Sequence, residues 1–243
     1  MRARFGRALA LMTEHGWLLV AIALALGFPM AVLAWAMGES VAESAVASFL
    51  FGGLSLFTGA LANAAVIVAV NTYLKGGYAT LPDAYRTAFA VFPLVLPAYA
   101  LSMGAIAIGT LFFILPGLYL GLRLAFVLPA VLLEGLPPFR AIERSWNLSR
   151  DNLIELFMYY LLPFATGLFT VALTYAGADN ALSVFGQLFV STVVSVLYLT
   201  IMVDFFRELA RPPKASGAPG AGGEILYKPL EDLTRQTDGH GKD

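Results

Sequence analysis

Apolar and polar positions alternate along the chain in long blocks, and the blocks set the architecture. Six apolar runs, 17–37, 45–70, 90–115, 118–133, 156–176 and 182–203, are separated by short polar stretches. A hydrocarbon core of roughly 30 Å needs about 20 such residues in helical form. The runs are continuous and lack the period-two alternation of a barrel strand, so they predict helices. Three of the polar stretches carry a different signal, apolar positions recurring at helical spacing beside basic residues. In 1–15 these are Phe5, Leu9 and Met12; in 81–88 the stretch opens on Leu81-Pro82 and holds Arg86. In 137–150 Phe139, Ile142 and Trp146 oppose Arg140, Glu143, Arg144 and Asn147. Each predicts a short amphipathic helix at the membrane surface. The fold class expected is therefore all-α: a polytopic membrane bundle of six transmembrane helices with amphipathic interfacial helices. A layout of three helix-plus-hairpin repeats fits the same pattern, with Arg7, Arg86 and Arg144 each followed by a small residue.

Composition supports the membrane assignment. The chain is 59% hydrophobic and only 13% charged, where soluble domains run near a quarter charged, and its mean hydropathy is +0.77. Cysteine is absent and the two histidines, His15 and His240, stand at opposite ends of the chain. Thiol chemistry, thiolate metal sites and a histidine-centred active site are thereby disfavoured, and no cofactor is expected. A net charge of −1 gives nucleic acid no support as a partner. Nucleotide-binding loops, zinc-protease motifs and serine–histidine signatures do not occur.

Charge placement orients the chain. Fourteen of the fifteen Lys and Arg residues fall in the N-terminal segment, the loops between runs two and three and between runs four and five, and the C-terminal segment. The positive-inside rule then places both termini in the cytoplasm. Ala34-Trp35-Ala36 resembles a signal cleavage site, but the preceding run is too long for a signal peptide and reads as a retained span. From Pro212 the composition turns to Pro, Gly, Ala, Ser and scattered charge, so residues 1–211 read as the spanning domain and 212–243 as a disordered cytoplasmic tail.

The stretch 114–150 carries the candidate site residues. Arg123 is the one basic residue outside the cytoplasmic regions, and an intramembrane charge is by default a functional hypothesis. It is expected to contact an anionic head group, to pair with Glu39 or Glu43, or to snorkel to water from about 8 Å inside the outer interface. Snorkelling is the preferred outcome because the depth is shallow. Glu134 lies about 16 Å further along the same helix, too far to pair with Arg123. Its expected partner is Arg140 or Arg144, which would hold the surface helix to the bundle. Pro116 and Gly117 are read as the turn between runs three and four. Gly117, Gly121 and Ala125 recur every four residues, a spacing that lets helix backbones approach closely. Asp204, Arg207, Glu208 and Arg211 alternate in sign and are expected to pair along their own helix. Pro29, Pro93, Pro97, Pro129 and Pro163 interrupt four of the spans, as binding-site helices of transporters are interrupted.

Pro116, Gly117, Arg123, Glu134, Ala141, Arg144, Ser145 and Leu148 together form a pattern: a Pro-Gly turn, an apolar run closed by an acid, then an arginine-serine helix. It resembles the YciC-like uncharacterised bacterial inner-membrane proteins and the membrane domain attached to some glycerophosphoryl diester phosphodiesterases. The resemblance implies a polytopic protein of the bacterial inner membrane. The phosphodiesterase chemistry does not come with it, because that belongs to a separate catalytic domain. The expected function is non-enzymatic: binding of membrane lipid, or of another membrane protein, through the arginine-bearing helices, with Arg123, Glu134, Arg140, Arg144 and Ser145 as candidates. The alternative is a small transporter or channel with a cavity near Arg123 and the proline-broken helices.

Overall fold

A computed structural model describes residues 2–175 and 181–210, with side chains over 4–37, 44–173 and 183–210. The expected tail, the acids Glu39, Glu43 and Asp179, and Arg211 lie outside the described side chains. The described residues form α1 (Arg2–Glu43), α2 (Ala45–Leu74), α3 (Leu81–Ala90), α4 (Phe92–Phe112), α5 (Ile114–Arg123), α6 (Val127–Glu134), α7 (Pro138–Ser149), α8 (Leu153–Tyr175) and α9 (Ala181–Ala210), with a 3-10 turn over Arg150–Asn152 joining α7 to α8. Six segments are long and apolar enough to cross a membrane: α1, α2, α4, α5 with α6, α7 with α8, and α9. The protein is an all-α, multi-pass membrane protein.

Local chemistry sets the joints. Ser44 caps α2, its hydroxyl accepting from the Ala47 N–H at 3.3 Å. Gly76, at φ +79°, turns the chain out of α2. Thr80 then caps α3 through the Asp83 N–H. Gly135 ends α6 in the left-handed conformation, φ 66°.

The amphipathic segments differ from expectation in how they join the bundle. Residues 2–15 are the first turns of the unbroken 42-residue α1, not a separate surface helix. α3 buries Ala84 and Ala88, and its Tyr85 hydroxyl donates to the Ile22 carbonyl of α1 at 2.7 Å. α7 buries the small side chains of Ala141, Ser145 and Ser149, while Phe139 and Trp146 of its apolar side stay exposed. Small residues win the packing face because without a hydrophobic drive between helices in lipid, close backbone approach supplies the contact.

The prolines also divide. Pro93, Pro116 and Pro129 stand in the first turns of α4, α5 and α6, where the missing N–H has no partner to lose. Pro29, Pro97 and Pro163 are inside helices. The turn between α4 and α5 is made three residues before the expected Pro116-Gly117, by Phe113 alone in extended backbone (φ −161°, ψ 149°). This tip is wholly apolar: Leu111, Phe112, Phe113, Ile114 and Leu115 are each between 67% and 84% exposed, and no charged residue stands between Arg86 and Arg123.

At the end of the bundle where α1 begins and α9 finishes, aromatic rings and ion pairs close the core. Phe126 meets Phe205 and Phe206 at 5.5 and 6.0 Å between ring centroids. Arg4 lies 4.0 Å over the Phe205 ring and bonds Glu155 of α8 at 2.5 Å and Glu208 of α9 at 2.8 Å. Arg7 bonds Asp204 at 2.7 Å. Asp204 and Glu208 thus reach across to α1, where local pairing along α9 was expected. The cause is antiparallel packing of α1 on α9, which lines two arginines one turn apart against two acids one turn apart.

Candidate functional site

The fourth span is not one helix. After Arg123 the chain leaves the helical path for Leu124 to Phe126 and re-enters it at Val127. A break inside a span strands backbone groups that lipid cannot satisfy. Ser145 of α7 answers two of them at once. Its hydroxyl donates to the Arg123 carbonyl at 2.7 Å and accepts from the Phe126 N–H at 3.1 Å. Ser149, one turn on, bonds the Trp146 carbonyl at 3.1 Å and lies 3.5 Å from the Arg123 carbonyl. Ser145 and Ser149 are completely buried, so Ala141, Ser145 and Ser149 form the stripe that seats α7 on the break.

Arg123 does not snorkel. Its side chain is 8% exposed and is held by two aromatic residues. Nε donates to the Tyr119 hydroxyl at 2.9 Å and an η nitrogen to the Trp146 carbonyl at 3.2 Å. The guanidinium stands 4.9 Å from the Trp146 ring and 5.2 Å from the Tyr119 ring, within cation–π range. The Trp146 carbonyl belongs to the last turn of α7, where the helix dipole is negative. The described contacts that replace snorkelling are thus uncharged: Tyr119 lies one turn back on α5 itself, and Trp146 comes from α7, which sequence order places after the span.

Glu134 and Arg144 meet as one of the two expected pairs. Arg144 grips the carboxylate with Nε at 3.0 Å and an η nitrogen at 3.0 Å, a fork that ties α6 to α7. Arg140 instead lies at the surface, 3.8 Å from Glu143. The small-residue stripe acts on two different helices. A Cβ on Gly117 would stand 2.7 Å from the Thr110 nitrogen of α4, and one on Gly121 would stand 3.0 Å from the Tyr160 hydroxyl of α8.

Beside the break lies a cavity of about 560 Å³ between α2, α4, α5, α6, α8 and α9. Gly121, Leu124, Ala125 and Pro129 form one wall and Pro163 and Gly167 part of the other. Arg123 is not on its lining; its side chain goes to the α7 face instead. Polar atoms enter the cavity from Asn63, Tyr99, Tyr160, Tyr198 and two serines, with no charged residue among the lining. The Asn63 amide donates to the Tyr99 hydroxyl at 3.5 Å, and the Tyr160 and Tyr198 rings meet edge-on at 6.1 Å. A second cavity of about 600 Å³, between α1, α8 and α9, shares Pro163, Gly167 and Ser195 with the first.

Sequence reasoning found the break's neighbourhood but missed the tyrosines. A lone tyrosine within an apolar run signals little, since tyrosine is common at membrane interfaces. Only folding shows that Tyr160 and Tyr198 pack edge-on and line one cavity together.

Residues 1–209 match the family described as Domain of unknown function (DUF7847). No curated protein and no solved structure matches the chain.

Proposed function

The chain belongs to the DUF7847 family, and from the geometry of its cavity we propose that it is a non-enzymatic membrane protein that holds a lipid inside its helix bundle. The observation that carries this is the cavity of about 560 Å³, within the range of sites that enclose small molecules and lined mainly by apolar side chains. It changes the route expected from the arginines. Arg4, Arg7, Arg123 and Arg144 bind the protein's own acids, carbonyls and rings, so in our proposal they build the bundle that surrounds the lipid. Arg86 and Arg140 stay exposed and add a generic attraction for anionic head groups, about 1 kcal/mol each near the surface. We further assign the protein to the bacterial inner membrane with both termini cytoplasmic, on the grouping of fourteen of fifteen basic residues and on the resemblance drawn from the 114–150 pattern.

Gly167 provides the test, because a Cβ there meets nothing within 4 Å and the position borders both cavities. Lipid extracted from gently purified protein should be stoichiometric in the wild type and lost in Gly167→Leu, with the fold intact by circular dichroism. Equal lipid in both would count against the proposal. A second reading, transport, draws on the shared wall at Pro163, Gly167 and Ser195, which would give a path between α8 and α9 if the two cavities join.

A further inference from the structure

We propose that the ligand of the cavity is an uncharged lipid whose polar end is a hydroxyl or carbonyl, received by the Tyr160 and Tyr198 hydroxyls. This inference rests on the lipid-holding reading above and specifies the chemistry it takes.

Charge argues first. The lining holds no lysine, arginine, histidine or acid, and Arg123, the nearest cation in sequence, is committed to Tyr119 and the Trp146 carbonyl. A phosphate carried into this space would lose its hydration and gain no counter-ion, which is prohibitive in a low-dielectric site. The polar groups that do line the cavity are neutral. Each phenol can donate one hydrogen bond and accept another.

Pairing argues second. Among the described residues, no protein group hydrogen-bonds the hydroxyl of Tyr160 or Tyr198. Both side chains open onto the cavity and are not sealed in protein, and a polar group left unpaired against lipid is costly, so the two hydroxyls are available to a ligand. Room at Tyr160 is kept by Gly121, since any Cβ there would come within 3.0 Å of the hydroxyl. Asn63 and Tyr99, joined at the long distance of 3.5 Å, stand across the same cavity as a second polar contact. The apolar body of the ligand then lies along Leu124, Ala125, Pro129 and Gly167, and at Gly167 it reaches the wall shared with the second cavity.

Three lipid types carry this chemistry: a diacylglycerol, a long-chain prenol and a prenylquinone. The full-length chain, purified and depleted of lipid, would be titrated with each and with phosphatidylglycerol, and read by native mass spectrometry and thermal shift. The expected result is a one-to-one adduct and a raised melting temperature with at least one of the neutral lipids. Tyr160→Phe combined with Tyr198→Phe should weaken that binding about tenfold, and Gly167→Leu should abolish it. Phosphatidylglycerol bound as tightly as the neutral lipids, and unaffected by the two tyrosine changes, would overturn the inference while leaving a lipid-holding cavity in place. No adduct with any of the four, and no effect of Gly167→Leu, would overturn both.

Discussion

A single hydroxyl decides the shape of the fourth span. Leu124, Ala125 and Phe126 are apolar residues that would continue a helix, and nothing in that local sequence signals an interruption. The interruption becomes tolerable because Ser145, twenty-two and nineteen residues further on, bonds the Arg123 carbonyl and the Phe126 N–H. Removing the hydroxyl leaves the Phe126 N–H buried and unpaired and the Arg123 carbonyl with only the 3.5 Å contact to Ser149, at about 1–3 kcal/mol. Ser145→Ala should therefore lower the melting temperature of the purified protein markedly, while Ser55→Ala in α2, a serine remote from the break, should not. The arginine itself was legible in the sequence as a charge out of place. Its partners were not, because Tyr119 and Trp146 are aromatic residues whose sequence positions read equally as lipid-facing or interfacial. Glu134 and Arg144 were legible as a pair because two helices joined by a three-residue turn must bring their ends together.

At the scale of elements, apolar run length located all six spans, since bilayer thickness imposes that length on any spanning helix, but α1 and α9 run on well past their apolar runs. What escaped was everything set by contacts distant in sequence. Asp204 and Glu208 share α9 with Arg207, so pairing within that helix looked sufficient. Instead they bond Arg7 and Arg4, about two hundred residues away. This closure ties α1 and α9 together, and Arg4 extends it to α8 through Glu155. Arg4→Glu should place a carboxylate against Glu155 and Glu208 and lower the melting temperature. Glu208→Arg added to it should recover part of the loss, and the recovery should shrink as salt is raised, since these side chains are partly exposed. Recovery that exceeds the original stability, or none at any salt, would show that the charges act independently. The expected surface helix at 2–15 failed for a related reason. Gly16, a residue able to end a helix, stands between it and the first span, yet α1 packs on α2 and α9 and the helix continues through.

For the whole molecule, the distribution of charge and the absence of cysteine allow sidedness to be read directly. A single cysteine in place of Lys75, between α2 and α3, should react with a membrane-impermeant thiol reagent from the side that faces the cytoplasm and not from the other. One placed at Phe113 tests the other end of the hairpin that α4 and α5 form, where five consecutive apolar side chains project outward. It should resist the reagent from both sides. Such a tip asks nothing of the machinery that threads proteins into bilayers: between α4 and α5 there is no hydrophilic cargo to drag through hydrocarbon. With no polar loop at the tip to anchor it in water on the far side, the depth of the hairpin is left to the apolar surface of the two helices themselves.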